Sequence, residues 1–284
     1  MSIQKLATLF SLLAFSCGGN TVPPGNSPTV PTVSIDSKLT TVLAGTQRTE
    51  PERARDQYRH PRETLEFFGL ADNMTVVELS AGQGWYTAIL GPLLAAQGKL
   101  TATNADPNGP PDSEGTKNAK LFAERLSKDQ TSFGKVSTLA IDWKKGVASL
   151  GPDASADMVL TFRSFHGWMS NAIVDNVLSA CFRVLKPGGT FGVVEHRAKT
   201  DGSTDPKVIG DTGYLPEAFV IQLIEKAGFK LAARSEINAN PKDTKDYPKG
   251  VWTLPPTLRL GDVDRDKYLA IGESDRMTLK FTKP

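Results

Sequence analysis

The chain has 284 residues, with 33 lysines and arginines against 31 aspartates and glutamates, a net charge of +2, and two cysteines. So balanced a charge, with no basic block, argues against a nucleic-acid binder. Two cysteines at positions 17 and 181 exclude a disulfide-stapled scaffold.

In chain order, residues 1–17, MSIQKLATLFSLLAFSC, place one lysine before an apolar and hydroxyl run that ends at Cys17. The run is too short to span a membrane and has the layout of an export signal. LLAFSC resembles the signal of bacterial lipoproteins, which implies lipidation of Cys17; an ordinary signal peptide and a mildly apolar tail are the other readings. Residues 18–42, beginning GGNTVPPGNSPTVPTV, are rich in Gly, Pro, Ser and Thr and read as a flexible tether. One α/β domain is expected over 43–284. The arginine-rich stretch 47–63, QRTEPERARDQYRHPRE, is nearly matched by acids and reads as solvated helix faces.

PRETLEFF, 61–68, predicts a helix with proline in its first turn. TVVELS, 75–80, predicts a strand that enters the turn AGQG and a helix beginning WYTAIL. Further strands are expected at 99–105, 136–141, 157–162, 191–196, 230–237 and 276–284, and helices at 117–128, 169–185 and after Pro216. Cys181 lies in an apolar helical pattern and reads as a buried hydrophobe. Strands separated by helices imply a mostly parallel sheet covered on both faces, with ligands at the carboxyl ends of the strands. Residues 238–275 show no period, and their Trp252, Leu254, Leu258 and Leu260 suggest a packed insertion or lid.

Gly82 and Gly84 allow backbone angles closed to other residues, and the helix that follows offers free amides to carboxylate or phosphate oxygens. A lone G-x-G is weak evidence. Its context strengthens it: ELSAGQG, 78–84, resembles the first motif of class I S-adenosylmethionine-dependent methyltransferases, with Glu78 at the strand-end acid, Ser80 at the first glycine and Trp85 after the last. Asp142, in LAIDW, resembles that family's contact to the adenine amino group, and FRVLKPGGTFGVVEH, 182–196, resembles its segment through the fifth strand. The resemblance implies a Rossmann-like seven-stranded sheet with a terminal antiparallel strand, S-adenosylmethionine as cofactor, and Glu78, Ser80, Gly82, Gly84, Trp85, Asn104, Asp106 and Asp142 around it. One position departs from the pattern: Asn104 stands where the family has a ribose-binding acid, and Asp106 follows two residues later. A nicotinamide-binding fold would need such an acid too. The chain is also similar to a group of exported bacterial proteins labelled predicted methyltransferases, through GWYT and the terminal IGESDRMTLKFTKP.

The three histidines, at 60, 166 and 196, all fall near one rim of such a sheet. His166 or His196 as general base, a metal site with Glu195, and hydrogen-bonded structural residues are the three readings. Methyl transfer itself requires alignment and dehydration, and no metal. Tyr86, Trp168 and Tyr214 are candidate aromatic walls for a substrate, with His60 beside them, and Arg163 and Arg197 are candidate partners for an anionic group. Packing and surface ion pairing are the plain readings of these residues. The function expected is methyl transfer to a small molecule at the outer face of a bacterial membrane, with a lipid anchor and no nucleic acid or obligate protein partner. The alternative is a non-catalytic small-molecule-binding lipoprotein on the same fold.

Overall fold

The computed structural model describes Met1 and residues 35–284; Cys17, the export signal and most of the tether lie outside the described residues. Among the described residues no helix is long and apolar enough to cross a membrane.

Seven strands form one sheet: β1 (Thr75–Leu79), β2 (Lys99–Asn104), β3 (Val136–Ala140), β4 (Ala156–Phe162), β5 (Leu185–His196), β6 (Lys230–Ser235) and β7 (Arg276–Thr282), in the order β3-β2-β1-β4-β5-β7-β6. All neighbours up to β5 pair in parallel, and β7 runs antiparallel between β5 and β6. The order turns back on itself between β1 and β4, where such a sheet opens a crevice at its carboxyl end. Because β7 is antiparallel, its first residue, Arg276, lies opposite His196, the last of β5.

Successive side chains in a strand point to opposite faces, and the core divides accordingly. Val77, Val159, Val193, Met277, Leu279 and Phe281 join one apolar layer; Val76, Met158, Leu160 and Val194 join the other. Burial on both faces explains why the central strands read as continuous apolar runs.

Helices α1 (Ile35–Ala44), α2 (Glu50–Arg53), α3 (Asp56–Arg59) and α4 (Pro61–Phe68) precede the sheet. The stretch 47–63 is therefore helical as expected, and Thr49, Glu50, Arg53, Gln57 and Glu63 are exposed, but two of its arginines turn inward: Arg48 is 1 % exposed and Arg59 3 %. Next come α5 (Thr87–Leu94), α6 (Glu114–Lys128) and α7 (Gln130–Phe133). The single helix expected over 169–185 is two, α8 (Phe165–Ser170) and α9 (Val174–Val184), parted at Ala172 by a left-handed residue. Helix α9 ends at Val184, and the KPGG stretch that follows lies inside β5 beside a shift in register against β4. Helices α10 (Pro206–Thr212) and α11 (Glu217–Lys226) precede β6, and α10 had no sequence signal strong enough to predict it.

The insertion 238–275 packs against the domain. It holds a 3-10 turn at Gly250–Thr253 and helix α12 (Arg265–Ile271), and buries Asn238, Asp243, Val251, Leu254, Glu273, Ser274 and Asp275. Its polar residues are hydrogen-bonded: Asn240 ties Ile271 and Glu273 through their carbonyls, and the Asp243 carboxylate accepts from Tyr214 and from the Asp275 amide.

Candidate functional site

The turn after β1 is built from left-handed backbone: φ is 52° at Ser80, 61° at Gly82 and 84° at Gly84. At Gly84 the reason is packing as well as angle, since a Cβ there would stand 2.9 Å from the Phe122 ring. Ser80 is the costlier choice, a non-glycine in that region, and its amide donates to Thr103 Oγ1 at 2.9 Å. The amides of Gly82 and Gln83 take no partner among the described residues. They are the free donors that a turn of this kind offers to a carboxylate.

Glu78 is 2 % exposed and accepts from Thr87 Oγ1 at 2.6 Å. Burial pushes its carboxyl up to about 7, against the opposing pull of Thr87. Asn104 does not offer its amide to the open side of the turn: Nδ2 donates to the Gly82 carbonyl at 2.7 Å, and Oδ1 accepts from Ala105 at 3.0 Å. It therefore shapes the turn. Asp106 is exposed and accepts from the Asn108 amide at 2.8 Å. A cavity of about 70 Å³ lies between the ends of β2 and β3, lined by Asn104, Pro107, Phe122 and Leu139 among others. Asp142 follows Ile141 just past β3 and is exposed; the Lys144 amide and Lys145 hold its carboxyl below the usual range.

Trp85 serves packing. Its ring lies between two guanidiniums, Arg48 at 5.0 Å and Arg59 at 4.5 Å, and its Nε1 donates to the Glu52 carbonyl at 3.2 Å. Where a small residue would also fit the turn, tryptophan provides the surface on which α2 and α3 dock. Tyr86 stacks on Phe162 with centroids 3.4 Å apart, and burial pushes its hydroxyl to about 12.

The histidines meet at the ends of β4 and β5. His166, in the first turn of α8, is partly exposed and has Nδ1 3.2 Å from Glu195 Oε1; His196 has Nδ1 2.6 Å from Ser274 Oγ. Their rings are 5.5 Å apart. Glu195 is fully buried and also accepts from the amides of Phe165 at 2.5 Å and His196 at 2.8 Å. A carboxylate only accepts, so the neutral His166 carries its proton on Nδ1 and has Nε2 as its basic nitrogen. Burial, followed by His166, Arg276, Arg163 and Arg59, pushes His196 well below the ordinary histidine value. Donor atoms of His166, Glu195 and His196 lie within 4.8 Å of one another, close enough to hold a metal ion.

Trp168 is 2 % exposed and packs on Phe165 and Trp143, so it belongs to the core. Tyr214 is buried with its hydroxyl donating to Asp243, while its ring stands 6.4 Å from that of His196. Arg197 is bound by three carboxylates, those of Asp275, Glu236 and Glu217. His60, the left-handed residue between α3 and α4, has φ 39° and a buried Nδ1 without a partner among the described residues. Arg163, with φ 61°, follows β4.

Three residues of this region had no site assignment from sequence: Arg55, Arg59 and Arg276, gathered around Glu273. Arg55 Nε donates to Glu273 Oε1 at 2.5 Å, Arg59 Nε to Oε2 at 3.2 Å, and Arg276 Nη2 to Oε2. Burial raises the Glu273 carboxyl, but Arg276, Arg59 and Arg55 override it and hold the group well below the usual range. The only signal available was the phrase ESDRM next to a strand, and nothing in it names α3 as the partner.

A model of the methyltransferase domain family matches residues 77–193. No curated protein matches the chain. Among solved structures, a SAM-dependent methyltransferase from Aquifex aeolicus superposes with TM-score 0.54 at 18 % identity, over 88 % of this chain and 98 % of that one. The cyclase SpnF superposes with TM-score 0.58 at 15 % identity, over 85 % of this chain and 86 % of that one. At such identities likeness speaks for the fold, and together with the strand order and the glycine turn it makes this the fold of the class I S-adenosylmethionine-dependent methyltransferases.

Proposed function

We propose that the protein transfers a methyl group from S-adenosylmethionine to an oxygen or nitrogen of a small-molecule acceptor, with His166 as general base. The observation that carries this reading is the Glu195–His166 pair at the carboxyl end of the sheet, in a fold whose glycine turn keeps two amides free. When bound, the cofactor supplies an electrophilic methyl group on a sulfonium. The residues present fit it at two points. The Gly82 and Gln83 amides suit the carboxylate of its methionine part, and the apolar groove at Pro107 and Leu139 suits a face of the adenine. Asn104 is uncharged and has both amide atoms engaged within the turn region, which leaves Asp106 as the charged candidate for the ribose.

On the acceptor side, Glu195 fixes the His166 ring and leaves Nε2 to take the proton from the attacking group. His196 stays neutral at pH 7 because burial and the nearby cations disfavour its charged form, so it serves as a hydrogen-bonding wall through Ser274. A non-catalytic binding module is the second reading, favoured by Asn104 and by the export-signal layout of residues 1–17.

Calorimetric titration of the full chain with S-adenosylmethionine and with its demethylated product decides between enzyme and module. Micromolar binding that disappears in Asp142→Ala supports methyl transfer, and absence of binding to either by a folded protein overturns it. On the first acceptor found, His166→Gln is expected to lower kcat about 10²–10⁴-fold. We also propose that export and lipidation at Cys17 place the domain outside the cytoplasm. Labelled fatty acid incorporated by the wild type and not by Cys17→Ala checks this.

A further inference from the structure

The arginines beside the histidines carry more positive charge than their surroundings neutralise. Arg59 and Arg276 are 3 % and 2 % exposed. Arg55 and Arg163 complete the group: Arg163 is acted on by Arg276 and Arg55, and Arg59 by Arg163. Three guanidiniums thus bind one carboxylate, Glu273, and Arg163 is a fourth within reach of its charge. The neighbouring acids are already engaged, Asp56 by Arg48 and Glu195 by two amides and His166.

Hydrogen bonding shows the same surplus. Arg55 Nη2, Arg59 Nη1 and Arg276 Nε are buried without a partner among the described residues, and no hydrogen bond or ion pair there involves the Arg163 guanidinium. Burial lowers the proton affinity of Arg163 to about 10, and burial with Arg163 as its next cause lowers that of Arg59. Buried charges left unpaired are strongly destabilising, and apolar side chains could pack α3 against β7 without that penalty. Arg163 and His60 also hold left-handed backbone angles, a local strain of the kind found where a site demands it. Donors of this type, on planar guanidiniums, match the oxygens of carboxylates and phosphates.

The sign of the charge also separates two uses of the neighbouring histidines. Four guanidiniums against the Glu273 and Glu195 carboxylates leave a net positive charge beside His166 and His196, which repels a metal cation and attracts an anion.

We propose that Arg55, Arg59, Arg163 and Arg276 form a binding site for an oxyanion, carboxylate or phosphate, carried by the small molecule on which the site acts. As a statement about the acceptor it rests on the methyl-transfer reading; anion binding by the cluster stands without it. Arg163 is the ligand-facing member, because it alone has no protein partner to lose.

The test is thermal unfolding of the full chain at fixed ionic strength, with chloride replaced by inorganic phosphate or by succinate. Wild type is expected to gain about 3 °C or more in Tm at saturation with one of these anions, and the larger rise identifies phosphate or carboxylate as the preferred group. Arg163→Gln is expected to lose that rise while its Tm in chloride stays level or increases. No rise with either anion, a rise undiminished in Arg163→Gln, or a clear fall in the chloride Tm of that variant overturns the proposal. S-adenosylhomocysteine in the same assay separates the two readings: its stabilisation without an anion effect sinks only the anion site, and an anion effect without it sinks only methyl transfer.

Discussion

Arg163 and Arg197 each follow the last residue of a parallel strand, β4 and β5, and stand at the same rim of the sheet. Their surroundings are opposite. Arg197 donates to Asp275 at 3.0 and 3.1 Å, to Glu236 at 2.6 and 2.8 Å and to Glu217 at 3.2 Å, and these carboxylates, Glu236 foremost, raise its proton affinity further. It joins β5 to α11, to the end of β6 and to the insertion. Arg163 meets other arginines and no unshared carboxylate. A charge that serves folding is neutralised by the fold, whereas a charge kept for a ligand is left for the ligand to neutralise.

The largest effect expected on this contrast comes from Glu273→Gln. Removing the one anion among four guanidiniums should destabilise the chain by about 3–5 kcal/mol, since the partners stay buried. Urea unfolding measures this, and inorganic phosphate should recover part of the loss if the cluster takes an anion. A loss under about 1 kcal/mol would mean that the arginines are better solvated than their burial shows.

Arg197→Met is expected to cost about 1–3 kcal/mol, less than a fully buried case because Glu236 and part of Arg197 reach water. The matching substitution at the other strand end, Arg163→Gln, should leave stability level or raise it, since it removes a charge without a partner. Equal losses at both positions would erase the distinction between them.

Acidity offers a finer probe, because two buried glutamates have opposite shifts. Glu273 is held below its ordinary value of 4.5, so its contribution is complete above that pH and is lost as pH falls below it. Glu78 is raised from 4.5 to about 7, so the folded chain holds a proton that the unfolded chain has released, and stability falls as pH rises through that window. Glu273→Gln should therefore flatten the acid limb of a stability profile. Glu78→Gln should flatten the slope between about pH 4.5 and 7, which unfolding midpoints collected from pH 3 to 8 would show.

Much of the architecture was readable from the chain. Strand and helix alternation, the apolar runs of the central strands and the alternation of Met277, Leu279 and Phe281 are local patterns, and the strands lie within two residues of their expected places except β5, which begins six residues early at Leu185. The left-handed angles at Gly82 and Gly84 were legible for the same reason. The stretch 47–63 was not. Its arginines and acids alternate as on an exposed helix, but Arg48 and Arg59 enclose Trp85, and Arg59 reaches Glu273 across 214 positions. Asn104 shows the same limit, since its partner is the carbonyl of Gly82 and not the open side of the turn.

The sequence by itself determined the class of fold, the glycine turn, and the placing of His166 and His196 near strand ends, because these follow from periodicity and from residues whose backbone preferences are intrinsic. Only tertiary structure decided which charges are neutralised. Pairing depends on distances between residues far apart in the chain, such as Arg197 with Asp275, 78 positions away, or Arg55 with Glu273, 218 away. Electrostatic energy follows those distances and the exclusion of water around them, and no local pattern of residues contains either quantity.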